Sequence, residues 1–351
     1  MDLILILLGL LLLVSVRPGW QPARGATLDH QTTKTINGWF ILLVLFSHFV
    51  TYLPANGTMM RWTAVWMATK GELIVTTFLA FSGYGIMVQL QKRGSGYVNH
   101  LPVQRVLFVW LKFAVAVTLF LIVGLWLGHT YPLSRIAAAY LGLATVGNSG
   151  WYVFTILLMY LLTYAAVKIS GRRIRLAIGL VTLATLVYSV LATRYLPSYY
   201  AVVSLSYPAG LWYGYRHSVI EGWLARRWSR YWVSLVGTGL IFVISYYGCS
   251  RMTGWLHLAT YQLAALAFVS GWVLLAMKLR FVNPLLAYLG GPALFSIYIL
   301  QRLPMMVGQR WGLAEHPLGY LGFVVGATLL LAAIFDWVVD ERLRRWLKKV
   351  G

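Results

Sequence analysis

Side chains able to do chemistry are few in this sequence, and the most prominent is His48. It closes the run Lys34 to His48, KTINGWFILLVLFSH, which is apolar except for a cation and an amide near one end and the imidazole at the other. Fourteen residues at about 3.6 per turn bring His48 back to nearly the face of Lys34, along a stripe through Ile41 and Leu45. Imidazole is the usual general base near neutral pH, and an ionisable group inside a membrane segment is a functional candidate by default. The plainer alternative is a histidine that hydrogen-bonds a neighbouring helix.

The other candidates are also isolated on apolar stretches. Glu72 opens a hydrophobic segment at about the depth expected for His48, where it either orients the ring or caps a helix. Ser82 lies in FLAFSGYGI with Gly83 and Tyr84; without a GxSxG elbow it reads as a packing or hydrogen-bonding serine beside a close backbone approach. Trp151 and Tyr152 begin WYVFTILLMYLLTY, where an interfacial belt alone explains them. Gln301 and Arg302 lie late in LGGPALFSIYILQRLP, where the arginine must either find a partner or snorkel. The acids are Asp2, Asp29, Glu72, Glu221, Glu315, Asp336, Asp340 and Glu341, and none is expected mid-span, which counts against an ion-driven pump. The lone Cys249 excludes an internal disulfide and a cysteine-rich metal site. With no HExxH, phosphate-binding loop or GxGxxG helix start, no metal or bound cofactor is expected.

These residues must be positioned by membrane helices. The chain has 351 residues, 60% of them hydrophobic and 11% charged, and a mean hydropathy of +0.73. That is the composition of a polytopic membrane protein, and the lack of dyad alternation selects helices over barrel strands. The fold class expected is therefore all-α polytopic, with eleven spans. They are Leu3–Val16, Ile36–Leu53, Glu72–Leu90, Val103–Gly128, Trp151–Val167, Ile174–Tyr195, Tyr199–Tyr215, Tyr231–Gly248, Leu256–Met277, Pro284–Leu303 and Leu318–Val339. Leu3–Val16 has no basic flank before it and reads as an uncleaved span. Pro132–Val146 is too short and broken to cross, so it is expected to lie in the interface or re-enter.

The net charge of +21 would suggest nucleic acid in a soluble protein, but the cations sit in short loops. One alternating set holds Arg17, Arg24, Lys34, Lys92, Arg93, Arg105, Lys168, Arg172, Arg173, Arg175, Arg216, Arg226, Arg227, Arg230, Lys278 and Arg280. The tail adds Arg342, Arg344, Arg345, Lys348 and Lys349 to that side. The other set has only Arg61, Lys70, Arg135, Arg194, Arg251 and Arg310. The positive-inside rule then puts the N-terminus outside and the C-terminus in the cytoplasm. No nucleic-acid partner is expected. His48, about 21 Å beyond Lys34, falls past the midplane towards the outer face.

Together the four segments resemble the membrane acyltransferase 3 family, whose members O-acetylate bacterial envelope glycans. The matching strings are NGWFILLVLFSH at Asn37–His48; Phe78, Phe81, Ser82, Gly83 and Tyr84; Trp151 and Tyr152 after a short non-spanning segment; and Gly290, Ser296, Ile297 and Tyr298. Their order covers residues 34 to about 340. The family's basic residue eleven positions before the histidine is Asn37 here, and Lys34, one turn earlier on a similar face, is the candidate substitute, although an ammonium does not reproduce a guanidinium fork. Where the family often has a histidine after Ile-Tyr, this chain has Gln301-Arg302. The family's usual ten spans leave the first segment as an addition, dividing the chain into an N-terminal span and linker (1–33), an acyltransferase domain (34–340) and a basic tail (341–351).

The resemblance implies an acyltransferase of the plasma (inner) membrane that takes an acyl group, acetyl above all, from cytoplasmic acyl-CoA. The acceptor would be a hydroxyl of an envelope polysaccharide or glycolipid. His48 would be the base; Gln301, Arg302 or the Ser82-Gly83 backbone would stabilise developing charge; Arg105 and Lys112 would meet the donor. Two other classes stay open: a transporter or flippase for a lipid-linked sugar, and a non-catalytic scaffold of envelope assembly.

Overall fold

In the computed structural model, residues 1–19, 27–54, 61–94, 96–171 and 173–350 are described, with backbone alone for 347–350. Arg24 and Arg172, counted above in the basic loops, lie outside the described residues, as do the side chains of Lys348 and Lys349.

The chain is an all-α multi-pass membrane protein. Its helices in order are α1 (Asp2–Val14), α2 (His30–Val50), α3 (Arg61–Thr69), α4 (Thr76–Arg93), α5 (Gly96–Asn99), α6 (Phe108–Trp126), α7 (Leu133–Tyr140), α8 (Trp151–Ser170) and α9 (Ile174–Tyr195). They continue with α10 (Ser206–Ala225), α11 (Trp228–Cys249), α12 (Gly254–Ala276), α13 (Pro284–Leu289), α14 (Leu294–Leu300), α15 (Arg302–Arg310), α16 (Pro317–Phe335) and α17 (Glu341–Val350). Among the described residues the only strands are Val16–Pro18 and Leu279–Phe281, which pair antiparallel. Among the described residues eight helical segments are long and apolar enough to cross a membrane: His30–Val50, Leu73–Arg93, Pro102–Trp126, Trp151–Ser170, Ile174–Tyr195, Trp228–Cys249, Gly254–Ala276 and Pro317–Trp346.

The three remaining expected spans are helical but fall short for separate reasons. With 13 residues, α1 is about 20 Å long, less than the hydrocarbon thickness. The seventh expected span begins at Ser206, not Tyr199, and its α10 carries Arg216, His217 and Glu221. The tenth is broken into α13, α14 and α15, because Gly290, Gly291 and Pro292 interrupt the first junction and Gln301 the second. The expected non-spanning piece, Pro132–Val146, is the eight-residue α7 followed by a turn.

The helix that carries His48 is among the most buried of the spanning segments. An Asp29 N-cap starts α2, its Oδ1 accepting from the Thr32 N–H at 2.7 Å, and Ile36, Phe40, Ile41, Val44 and Phe49 are all buried. Gly38 of α2 faces the Leu286 carbonyl of α13, and Gly290 after α13 faces the Lys34 carbonyl, so a side chain at either glycine would strike backbone. That crossing accounts for two of the family-like glycines as packing residues. The same device joins α4 to α10, where Gly83 abuts the Tyr207 carbonyl and Gly210 the Ala80 carbonyl. By contrast α11 leaves Val233, Val236 and Leu240 outward-facing, as lipid contact requires.

Lys112 corrects two expectations. Its side chain, on α6, is 6% exposed and its ammonium bridges Asp336 at 3.1 Å and Asp340 at 3.0 Å; Ser296 Oγ also donates to Asp336 at 2.5 Å. An ammonium held by two carboxylates is not offered to an acyl donor. Carboxylates also do sit within a spanning helical run, since Asp336 and Asp340 belong to Pro317–Trp346. Burying these charges is sustained by pairing and hydrogen bonding.

Candidate functional site

His48 is on the last turn of α2 and half-buried, and it opens onto a cavity of about 720 Å³. The walls come from residues far apart in sequence: Ser47 and His48 of α2; Lys70, Gly71 and Glu72 before α4; Ser134 and Arg135 of α7; the 143–150 turn; Trp151; Tyr199 and Tyr200; Tyr298; and Arg302. Its volume lies within the range of small-molecule sites.

The turn before α8 is what reaches the histidine. Gly147 has φ +108°, a conformation rarely open to other residues, and the backbone folds back on itself around it. Thr145 Oγ1 donates to the Asn148 carbonyl at 2.7 Å and accepts from the Gly147 N–H at 3.1 Å, while Asn148 Oδ1 accepts from the Val146 N–H at 2.9 Å. Thus fixed, Ser149 sets its Oγ 3.4 Å from His48 Nε2. The Tyr200 hydroxyl locks the far side of the turn by donating to the Gly142 carbonyl at 2.6 Å.

Arg302 stands at the break between α14 and α15. Its Nε donates to the Tyr52 hydroxyl at 3.1 Å and its Nη1 to the Asn148 carbonyl at 3.4 Å, joining the end of α2 to the 143–150 turn. Among the described residues no carboxylate pairs with it. Asn148 is buried and its Nδ2 has no acceptor. An imidazole and a guanidinium with a free terminal nitrogen therefore face one space, with the buried, unpartnered amide of Asn148 in its wall. That set can accept a proton from a hydroxyl and stabilise charge developing on a carbonyl oxygen. Among the described residues there is no group of three His, Cys, Asp or Glu that could hold a metal ion.

The expected site residues divide. His48, Glu72, Trp151 and Arg302 meet at the cavity. Glu72 does not orient the imidazole: Ser149 is the ring's hydrogen-bond partner, and the Glu72 N–H is held by the Tyr261 hydroxyl at 2.8 Å. Tyr152 stands one layer behind the wall, its ring 5.2 Å from Tyr298 and its phenol bonded to Ser82. Ser82 is thus a supporting hydroxyl and Gly83 a helix-packing residue. Tyr84 lines a different, largely apolar cavity of about 650 Å³ between α4, α10, α11 and α12. Gln301 is fully buried outside the cavity wall, with Nε2 on the Tyr298 carbonyl at 3.3 Å and Oε1 unpartnered.

Lys34 and Asn37 lie about 21 Å and 16 Å from His48 along α2, so neither joins it. Asn37, in the family's basic position, is buried with Oδ1 unpartnered. Arg105 is exposed at the end of the α6 run remote from the cavity.

Residues not singled out from the sequence are Ser149, Asn148, Tyr52, Tyr199 and Tyr200. Lys70 and Arg135 had been counted only as scattered loop cations. Burial holds the Lys70 ammonium below its ordinary range, opposed by the nearby Glu72 carboxylate. The string VGNSGW was the one legible signal, because two glycines around Asn-Ser mark a tight turn at a helix start.

No family model, curated protein or solved structure matches the chain. The likeness to the membrane acyltransferase 3 family rests on the quoted sequence motifs alone.

Proposed function

We propose that the protein is a membrane O-acyltransferase that transfers an acyl group, acetyl above all, from acyl-CoA to a hydroxyl of an envelope polysaccharide or glycolipid. The observation supporting this is the convergence of His48, Trp151 and Tyr298, from three of the four family-like segments, on one cavity. In this reading the acceptor hydroxyl attacks the thioester carbonyl carbon while His48 takes its proton. The carbonyl oxygen becomes an oxyanion facing the free nitrogen of Arg302. Collapse breaks the carbon–sulfur bond, and the departing thiolate recovers the proton from the imidazolium. Ser149 holds the ring in register.

Counted over all eleven expected crossings, with α1, α10 and the broken α13–α15 run still passing through the bilayer, charge alternation favours an outer-facing cavity in the plasma membrane, with the C-terminus in the cytoplasm. The donor's phosphates would then meet the basic rim around Lys34 and Arg105, and its thioester must reach the His48 end of α2. Labelled acetyl transfer to envelope glycan by wild type and His48→Ala tests the role of the base. Equal transfer at equal protein levels would remove His48 from the reaction.

The partly buried Lys112–Asp336–Asp340 cluster favours a second reading, a transporter or flippase for a lipid-linked sugar. That reading expects Asp336→Asn to stop movement of the lipid-linked sugar and predicts no acyl groups on the glycan in wild type.

A further inference from the structure

The His48 cavity holds more positive charge than transfer to a neutral hydroxyl needs. Lys70, Arg135 and Arg302 line it against one carboxylate, Glu72. Glu72 is two residues from Lys70 and acts on its charge, which leaves the two guanidiniums uncompensated. Among the described residues neither arginine forms an ion pair.

Both arginines are nevertheless held in place. Arg135 Nε donates to the Thr145 carbonyl at 3.0 Å and its guanidinium lies 5.2 Å from the Tyr131 ring centroid, so the terminal nitrogens stay available. Arg302 has Nε on Tyr52 and one Nη1 hydrogen on Asn148, which leaves the second Nη1 hydrogen, beside Nη2, for an acceptor's anion. Asn148 Nδ2, on a residue 2% exposed, adds a donor without an acceptor. Thr145 and Asn148 bond each other within one turn, so Arg135 and Arg302 are anchored to opposite ends of the same short segment. A positioned guanidinium matches the paired oxygens of a carboxylate or phosphate, which an ammonium does not.

We infer that the acceptor bears an oxyanion, a carboxylate or a phosphate, which sits between Arg135 and Arg302 while its hydroxyl faces His48. The inference rests on the acceptor reading of the cavity and adds its substrate class. Cations confined by a low-dielectric wall attract an anion more strongly than the same charges in open water.

The test is equilibrium binding to the full-length protein in nanodiscs. The probes are an oligogalacturonate, a phosphorylated oligosaccharide and a neutral oligogalactose of equal length, each with and without CoA as competitor. At least one anionic probe should bind about tenfold or more tightly than the neutral one. The stronger of the two identifies the oxyanion. Arg135 is exposed, so Arg135→Gln should cost little in melting for the lost Thr145 contact while removing most of the preference for the anionic probe over the neutral one, and Arg135→Lys should restore part of it. Equal binding of neutral and anionic probes overturns the inference. So does displacement of the anionic probe by CoA that Arg135→Gln abolishes, because the donor's phosphates would then occupy the site. If anionic probes bind as expected but no acyl group is ever transferred, the acyltransferase reading fails and the anion site stands.

Discussion

Replacing Arg302 with glutamine separates a stabilising arginine from a structural one. The side chain holds two neutral oxygens, the Tyr52 hydroxyl at 3.1 Å and the Asn148 carbonyl at 3.4 Å. A hydrogen bond from a charged donor contributes about 1.5–3 kcal/mol, and the longer contact falls at or below the bottom of that range. Loss of both should lower stability by about 2–3 kcal/mol, read as a fall in melting temperature. If Nη2 meets the oxyanion of the transition state, its loss should cost a further 10²–10³-fold in kcat, about 2.7–4 kcal/mol. The assay is steady-state transfer of labelled acetyl to isolated envelope glycan by purified protein, with melting measured on the same samples. Arg302→Lys keeps the charge without the fork, so it should recover some rate but little of the tie between Tyr52 and Asn148. If Arg302→Gln stays within about tenfold of wild-type kcat and melts at the lower temperature, the residue is a brace and another group stabilises the charge.

His48→Gln should lower transfer by about 10²–10⁴-fold with little change in melting, measured by the same labelled-acetyl assay. Gly290→Val should prevent stable folding, because its side chain would meet the Lys34 carbonyl of a buried helix; detergent size-exclusion profiles and protein yield report this. Lys112→Met should destabilise by about 3 kcal/mol by leaving Asp336 without a counter-ion and Asp340 with only the exposed Arg344, and Lys112→Met with both acids changed to asparagine should recover much of it in denaturant titration. Binding of anionic oligosaccharide should weaken as pH rises through the lowered Lys70 value, starting below the range of a free lysine, because the ammonium is lost there. Lys70→Arg should flatten that slope, as arginine stays charged throughout.

The sequence alone determined the class of fold. Apolar segments of membrane length and the lack of dyad alternation leave helices as the only way to satisfy the backbone in lipid. It also singled out His48 and Arg302, because ionisable groups in such segments are conspicuous by type. Local pattern did not determine which helices break: the 284–303 stretch looks continuous in hydropathy, yet Gly290, Gly291 and Pro292 end one helix and start another. Nor did sequence spacing reveal partners. Lys34 shares a helical face with His48 but lies some four turns away, while Ser149 and Arg302, 101 and 254 residues further along, meet it in space. Lys112, expected from the resemblance to meet the donor, is instead met by Asp336 and Asp340 across more than 220 residues. The physical reason is the same in each case. Hydropathy and propensity act within a segment, whereas a cavity and an ion pair depend on which faces of separate helices pack together. Here Gly38 against Leu286 and Gly83 against Tyr207 help set those faces by allowing close backbone approach.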